Sequence, residues 1–351
     1  MSQSRPVRIA VDAMGGDFAP QKIVEGAVLA ARESQVSIVL VGREPEIEAE
    51  LSKYNLSGLS ITIHPASQVI GMEDSPSKAT KTMHDASIVV ATRLLHEKKV
   101  DALVSAGNSG AVMTAALRLL GRIHGVYRPA ITTVLPTLNG HCMVADVGAN
   151  ADCKPEYLLQ FAIMAKIAAQ TILDIEKPTV GLLSIGEEKE KGNHLNKHAY
   201  PMLENCKDID FIGNVEGRDI PKGKSDVVVC DGFVGNVVLK TMEGTADVMG
   251  KMIKAEISAS LMAKMGYLLI RSALKRFRKR VDYAEYGGAP LLGVNGACII
   301  SHGKSTAKAI KNAVRMAKAV VEKKVVERIH SEIATFTVPH TETKSQVSTA
   351  V

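Results

Sequence analysis

The chain has 351 residues, enough for about two units of roughly 150 residues or one large α/β domain. With 46% hydrophobic and 23% charged residues it can bury a sizeable core, which excludes disordered, collagen-like and disulfide-scaffold classes. A formal charge of +6 leaves nucleic acid, an anionic membrane or an acidic partner open, although 4% aromatic residues without Trp disfavour a base-stacking surface.

Short β-branched runs alternate with stretches of helical period, the pattern of parallel β-α-β winding. Residues 7–11 predict a first strand, and Pro20 opens a helix through Ser34. Strands follow at 36–41 and 60–64, with a helix at 45–53 between them. The polar, aperiodic stretch 65–80 reads as a loop long enough to be functional. After a helix through His96, a strand at 100–105 turns through Gly107 and Gly110 into a helix at 111–120. Further strands are expected at 131–135, 143–146, 180–185, 211–215, 226–230 and 298–301. Helices are expected at 155–173, from near Gly235, and at 306–333. Residues 1–334 thus read as a single α/β domain with two lobes around a cleft, and 335–351 as a flexible tail.

Five widely spaced cysteines without a C-x-x-C pair predict a reduced, intracellular chain with no zinc cage. The first residues lack the apolar core of a signal peptide. The longest charge-free stretch, 286–303, contains five glycines and a proline, so no membrane-spanning helix is expected.

Four strands end in small, glycine-rich turns: AMGGD at 13–17, AGNSG at 106–110, DVGAN at 146–150 and DGFVGN at 231–236. Such turns let backbone N–H groups approach an anion at helix N-termini, and they also serve as ordinary tight connections. Their recurring Asn and Asp favour an anion site. Two motifs fail on spacing. Gly303-Lys304-Ser305 lacks the earlier glycine of a Walker A loop, and no G-x-G-x-x-G follows the first strand. Segment 185–194, IGEEKEKGNH, reads either as a solvated helix start or as a source of cleft groups for an anionic substrate, namely Lys191, Asn193 or His194. His84 reads as a general base or a surface residue, and Cys230 as a buried small hydrophobe.

Residues 261–281, LMAKMGYLLIRSALKRFRKRV, combine an apolar stripe with basic groups. Seven Lys or Arg and no acid lie between 257 and 281, so the rest of the chain is nearly neutral and the excess charge has one location. Such a helix reads as a membrane-surface element or a dock for an acidic partner, with Leu269, Ile270, Arg271, Lys275, Arg276, Phe277 and Arg278 as contacts. A core-packed helix with a solvated basic face is the alternative.

Eight stretches in order, VDAMGGD (11–17), SAGNSGA (105–111), DVGAN, IGEEKEKG (185–192), GNVEGRD (213–219), CDGFVGNVVLK (230–240), YGGAPLLGVNG (286–296) and SHGKS (301–305), resemble the bacterial phosphate acyltransferase family, PlsX. Segment 257–285 and the tail lie outside these motifs. The resemblance implies an isocitrate/isopropylmalate dehydrogenase-like α/β fold, a homodimer, and no metal or nucleotide cofactor. It implies transfer of a fatty acyl group from acyl carrier protein to inorganic phosphate, feeding a downstream glycerol-3-phosphate acyltransferase. The protein is then expected in the cytoplasm, peripherally associated with an anionic membrane, with no nucleic acid partner. In this frame Gly107, Asn108, Ser109 and Gly110 cradle phosphate, and Asp146, Asn150, Asp231, Asn236 and Lys191 are polar or cationic cleft groups. His84 or His194 manages the proton at the leaving thiol. A phosphotransacetylase-like enzyme using acyl-CoA is the nearest rival. A non-catalytic scaffold and a dehydrogenase on the same fold stand further off.

Overall fold

A computed structural model describes residues 5–281 and 285–336, without the side chains of residues 278, 279 and 281. Its centre is an eleven-stranded sheet in the order β3-β2-β1-β4-β11-β10-β5-β6-β9-β7-β8. β1 (Arg8–Asp12), β2 (Ser37–Gly42) and β4 (Ala102–Ser105) are almost wholly buried, as strands covered by helices on both faces must be, while β3 (Ile61–Pro65) forms a half-exposed edge. These four run parallel with β11 (Ala297–Ile300). On the other side β6 (His141–Ala145), β9 (Val227–Val229), β7 (Thr179–Ser184) and β8 (Asp210–Glu216) are also mutually parallel.

The two halves are joined by β10 (Ala289–Leu292) and β5 (Ala130–Pro136). Both pair antiparallel with each of their neighbours, so the two halves run in opposite directions. The expected parallel β-α-β winding holds within each half, and the junction between the halves is antiparallel. The fold is a mixed α/β fold with eleven helices among the described residues.

One face of the sheet is packed by α1 (Gln21–Ser34), α6 (Pro155–Ile172), α7 (His194–Glu204), α10 (Ala307–Glu322) and α11 (Val325–Thr335), around Phe161, Leu158 and Ile310. The other carries α4 (Ser87–His96) and α5 (Ser109–Leu119). Several sequence expectations need revision. The loop at 65–80 contains α3 (Pro76–Thr82), which is too short for a hydrophobic period and buries Ala79 and Thr80. The last helix divides at Lys324, whose left-handed φ of 54° ends the regular backbone between α10 and α11. β10 was hidden by its flanking glycines and Pro290.

The basic segment belongs to a longer arm than expected. α8 (Gly232–Ala259) buries only Gly232 and Gly235, breaks at the extended Ser260, and is followed by α9 (Leu261–Val281). Among the described residues, no helix is long and apolar enough to cross a membrane. The predicted tail falls outside the described residues beyond Phe336.

Candidate active site

Where the strands stop determines the site. Ser105 at the end of β4 pairs with Ile300 at the end of β11, and Ile300 pairs with Ala289 of β10. Two residues along β10, Leu291 pairs with Ile131, whose neighbour Thr132 pairs with Ala145 at the end of β6. The opposed halves of the sheet therefore end at nearly the same level. The turns after β4, β11, β6 and β9 border one crevice over β10 and β5, at strand carboxyl ends where α/β sheets hold ligands.

Buried aspartates build these turns. Asp12 accepts from Ser105 Oγ at 2.7 Å and from the Met14 amide at 3.3 Å, and the Gly107 amide donates to Ser105 Oγ at 3.1 Å. Gly15 must be glycine here, because a Cβ would lie 2.7 Å from the Gly107 nitrogen. Asp146 accepts at Oδ1 from the amides of Ile131, Gly148 and Ala149, and at Oδ2 from the amide and side chain of Asn150, at 2.7–3.1 Å. Burial pushes its carboxyl upward, against the opposing hydrogen bonds from Ala149, Asn150 and Ile131. Asn150 also donates to the Pro129 carbonyl at 2.8 Å, and its own carbonyl accepts the Gly232 amide at 2.7 Å. Asp231 caps α8 through the Val234 amide at 2.8 Å.

The crevice holds a cavity of about 690 Å³, within the usual range of roughly 300–1,000 Å³ for small-molecule sites. Ser109, Gly148, Asn236, Lys240, Ser301, His302 and Ser305 form its polar part. Ile131, Leu135, Leu138, Leu239, Met242 and Phe277 line the apolar remainder. Ser109 opens α5, and Ser305 directly precedes Thr306, the cap of α10, so two helix N-termini bring their partial positive charge to the polar part.

His302 and Ser305 are the reactive-looking pair in this lining. Ser305 is 2% exposed and its hydroxyl has no partner among the described residues, an arrangement that suits a ligand, since buried hydroxyls are normally paired. His302 accepts the Lys304 amide at Nδ1, 3.1 Å away. Partial burial, then the charge of Lys240, lowers its imidazole below the ordinary 6.5. A neutral ring accepting at Nδ1 carries its proton on Nε2, which is left as a donor.

The chain matches the family model described as "Fatty acid synthesis protein" over residues 7–328. It is 53% identical over 329 residues to a phosphate acyltransferase of Geobacter sulfurreducens, covering 94% of this chain and 95% of that one. A phosphate acyltransferase of Desulfitobacterium hafniense is 53% identical over 332 residues, covering 94% and 99%. The chain belongs to the phosphate acyltransferase family.

Solved structures add the fold. A phosphotransacetylase from Streptococcus pyogenes superposes with a TM-score of 0.59 at 14% identity, covering 92% of this chain and 95% of that chain. A branched-chain phosphotransacylase from Enterococcus faecalis gives 0.55 at 13% identity, covering 89% and 99%.

Ser109 and Asn236 reach the cavity, with Asn236 over Gly148. Gly107 and Gly110 pack the turn below: the Gly107 amide is held by Ser105, and Gly110 lies against Pro76. Asn108 is committed elsewhere. Its Oδ1 accepts the Ala111 amide as the cap of α5, and its Nδ2 donates to the carbonyls of Gly71, Met72 and Asp74. Asp146, Asn150 and Asp231 turn inward as organisers of the backbone, as the bonds above require.

His84 is exposed beyond α3, with its carbonyl held by Arg93, and does not line the cavity. Lys191 and His194 are exposed after β7, beyond β9 from the centre, and His194 stacks on His198 at 4.0 Å. Cys230 is buried, and burial pushes its thiol well above the ordinary value, as suits a packing residue.

On α9, Leu269, Ile270, Arg271, Lys275 and Arg276 are exposed, Phe277 lines the cavity, and the Arg278 side chain lies outside the described residues. Sequence reasoning passed over His302, Ser305 and Lys240. The signal for His302 and Ser305 is SHGKS, which stands between a strand and a helix like the other glycine-rich turns.

Proposed function

We propose that this phosphate acyltransferase moves a fatty acyl group from the thioester of acyl carrier protein to inorganic phosphate, releasing acyl phosphate and the free thiol. A phosphate oxygen attacks the carbonyl carbon, the carbonyl oxygen becomes an oxyanion, and the C–S bond breaks as the tetrahedral species collapses. Phosphate is already a nucleophile, so holding it beside the thioester supplies much of the rate. The Ser305 hydroxyl, the Nε2–H of His302 and the N-termini of α5 and α10 are suited to phosphate and the developing oxyanion. The observation that carries this reading is the joining, in one cavity, of these donors to an apolar chamber. Purified protein incubated with phosphate and acyl carrier thioester should form acyl phosphate, trapped as the hydroxamate. Absence of product from any thioester would refute the reading.

A second reading, acyl-CoA as donor, is favoured by the likeness to the phosphotransacetylase fold. Comparing kcat/KM for carrier-borne and CoA-borne thioesters of one chain length decides between them.

The exposed apolar side of α8, with Val248, Met249 and Met252, supports a homodimer through the arm. For α9 the reading is peripheral attachment to an anionic membrane, supported by Leu269 at 87% exposure beside Arg271 and Lys275. Each basic group near an anionic surface contributes on the order of 1 kcal/mol. Replacing Leu269 and Ile270 by polar residues is expected to release the protein from phosphatidylglycerol vesicles in a flotation assay. Undiminished flotation would sink this assignment.

A further inference from the structure

A second cavity, of about 780 Å³, lies beside the apolar chamber. Arg280, Tyr286 and Val134 line both spaces and so form the wall between them. Three arginines meet in the second cavity: Arg276 and Arg280, one turn apart on α9, and Arg315 from the exposed side of α10. Arg280 donates to the carbonyls of Thr137, at 3.5 Å, and Leu138, and Arg315 donates to the carbonyl of Glu285 at 3.0 Å.

Among the described residues, arginine ion pairs are those of Arg5, Arg43, Arg218 and Arg328, so none of these three has a carboxylate within 4.0 Å. The carboxylate lining the cavity, Glu285, is paired at 2.8 Å with Lys308. His141 stands edge-on to Tyr286 at 5.2 Å, and burial, then the charge of Arg280, lowers its imidazole below 6.5. Among the described residues the lining is therefore cationic, with Glu285 already paired.

The three guanidinium groups suit an anionic ligand, and the space is far larger than orthophosphate. Guanidinium groups present planar forks that match phosphate oxygens two at a time. The three lining residues common to both spaces place the arginines directly beside the apolar chamber. We propose that the Arg276–Arg280–Arg315 groove binds the phosphate ester on the arm of the acyl thioester donor. The inference rests on the acyl-transfer reading and adds where the donor is held.

The test compares wild type with Arg276→Glu/Arg315→Glu on three donors of one chain length. They are the acyl carrier thioester, the acyl-CoA, and the acyl thioester of N-acetylcysteamine, which carries no phosphate. The double variant should lower kcat/KM for phosphate-bearing donors relative to the phosphate-free one by about tenfold or more. Arg276→Lys/Arg315→Lys should restore part of that preference. A fall confined to the carrier thioester assigns the groove to the carrier's phosphodiester, and one confined to acyl-CoA assigns it to the coenzyme's phosphates. An equal fall for all three donors overturns the proposal, as does loss of vesicle binding with donor preference intact. If wild type makes no acyl phosphate from any donor, the acyl-transfer reading itself fails, a result distinct from an active enzyme whose preference does not move.

Discussion

His302→Ala should lower kcat for acyl phosphate formation by about 10²- to 10³-fold, the loss that follows removal of one donor to a developing oxyanion. The Lys304 amide occupies Nδ1, so Nε2 is the ring atom left to donate. His302→Gln keeps an N–H donor on a side chain of similar reach and should retain part of the activity. The pH profile separates this role from simple packing. Burial and Lys240 depress the imidazole pKa, so the neutral donor persists to lower pH than an ordinary histidine would allow. The histidine-dependent acid limb should then lie below 6.5 in wild type and vanish in the Gln variant. Stability shifts with the same sign: a depressed histidine pKa stabilises the fold above the unfolded value, and that contribution is lost as pH falls through the folded one. An acid limb unchanged in His302→Gln, or wild-type turnover in His302→Ala, would remove His302 from the reaction.

Sequence patterns made the architecture legible where local chemistry and tertiary structure agree. β1, β2 and β4 are continuous apolar runs buried on both faces, and α9 carries its stripe in its own period. The centre of the sheet was harder to read. β10 is four residues between glycines, and its antiparallel pairing with two distant strands depends on contacts that no local pattern reports. At the site, residue type was visible but orientation was not. Asp146, Asn150 and Asp231 look like ligands in sequence, yet both Asp146 oxygens, the Asn150 amide and one Asp231 oxygen are engaged in holding the turns. Lys191 and His194 have suitable chemistry, but they follow a strand one place too far from the centre. His302 lies in the short SHGKS turn, and the register that brings β11 level with β6 makes it a site residue.

Asp146→Ala is expected to destabilise the fold by about 3 kcal/mol or more, read as a lower urea midpoint, and to abolish turnover in whatever remains folded. Five donors converge on this carboxylate, four of them backbone amides, and truncation leaves those buried groups without an acceptor. Asp146→Asn discriminates between lost packing and lost acceptance. It preserves shape and can still accept from Ile131, Gly148 and Ala149, but its amide nitrogen then opposes the two Asn150 donors at 2.7 and 2.9 Å. Asn at this position should therefore be destabilising despite its near-identical volume. Gly235→Ala should act on the same turn from above, because a Cβ there would sit 1.9 Å from the Asp146 carbonyl oxygen. Both substitutions displace Gly148 and the start of α8, so phosphate KM should rise in any fraction that folds. A wild-type urea midpoint in Asp146→Asn would mean that the turn holds its shape by packing alone, and Asp146 would lose its role as the organiser of the cleft.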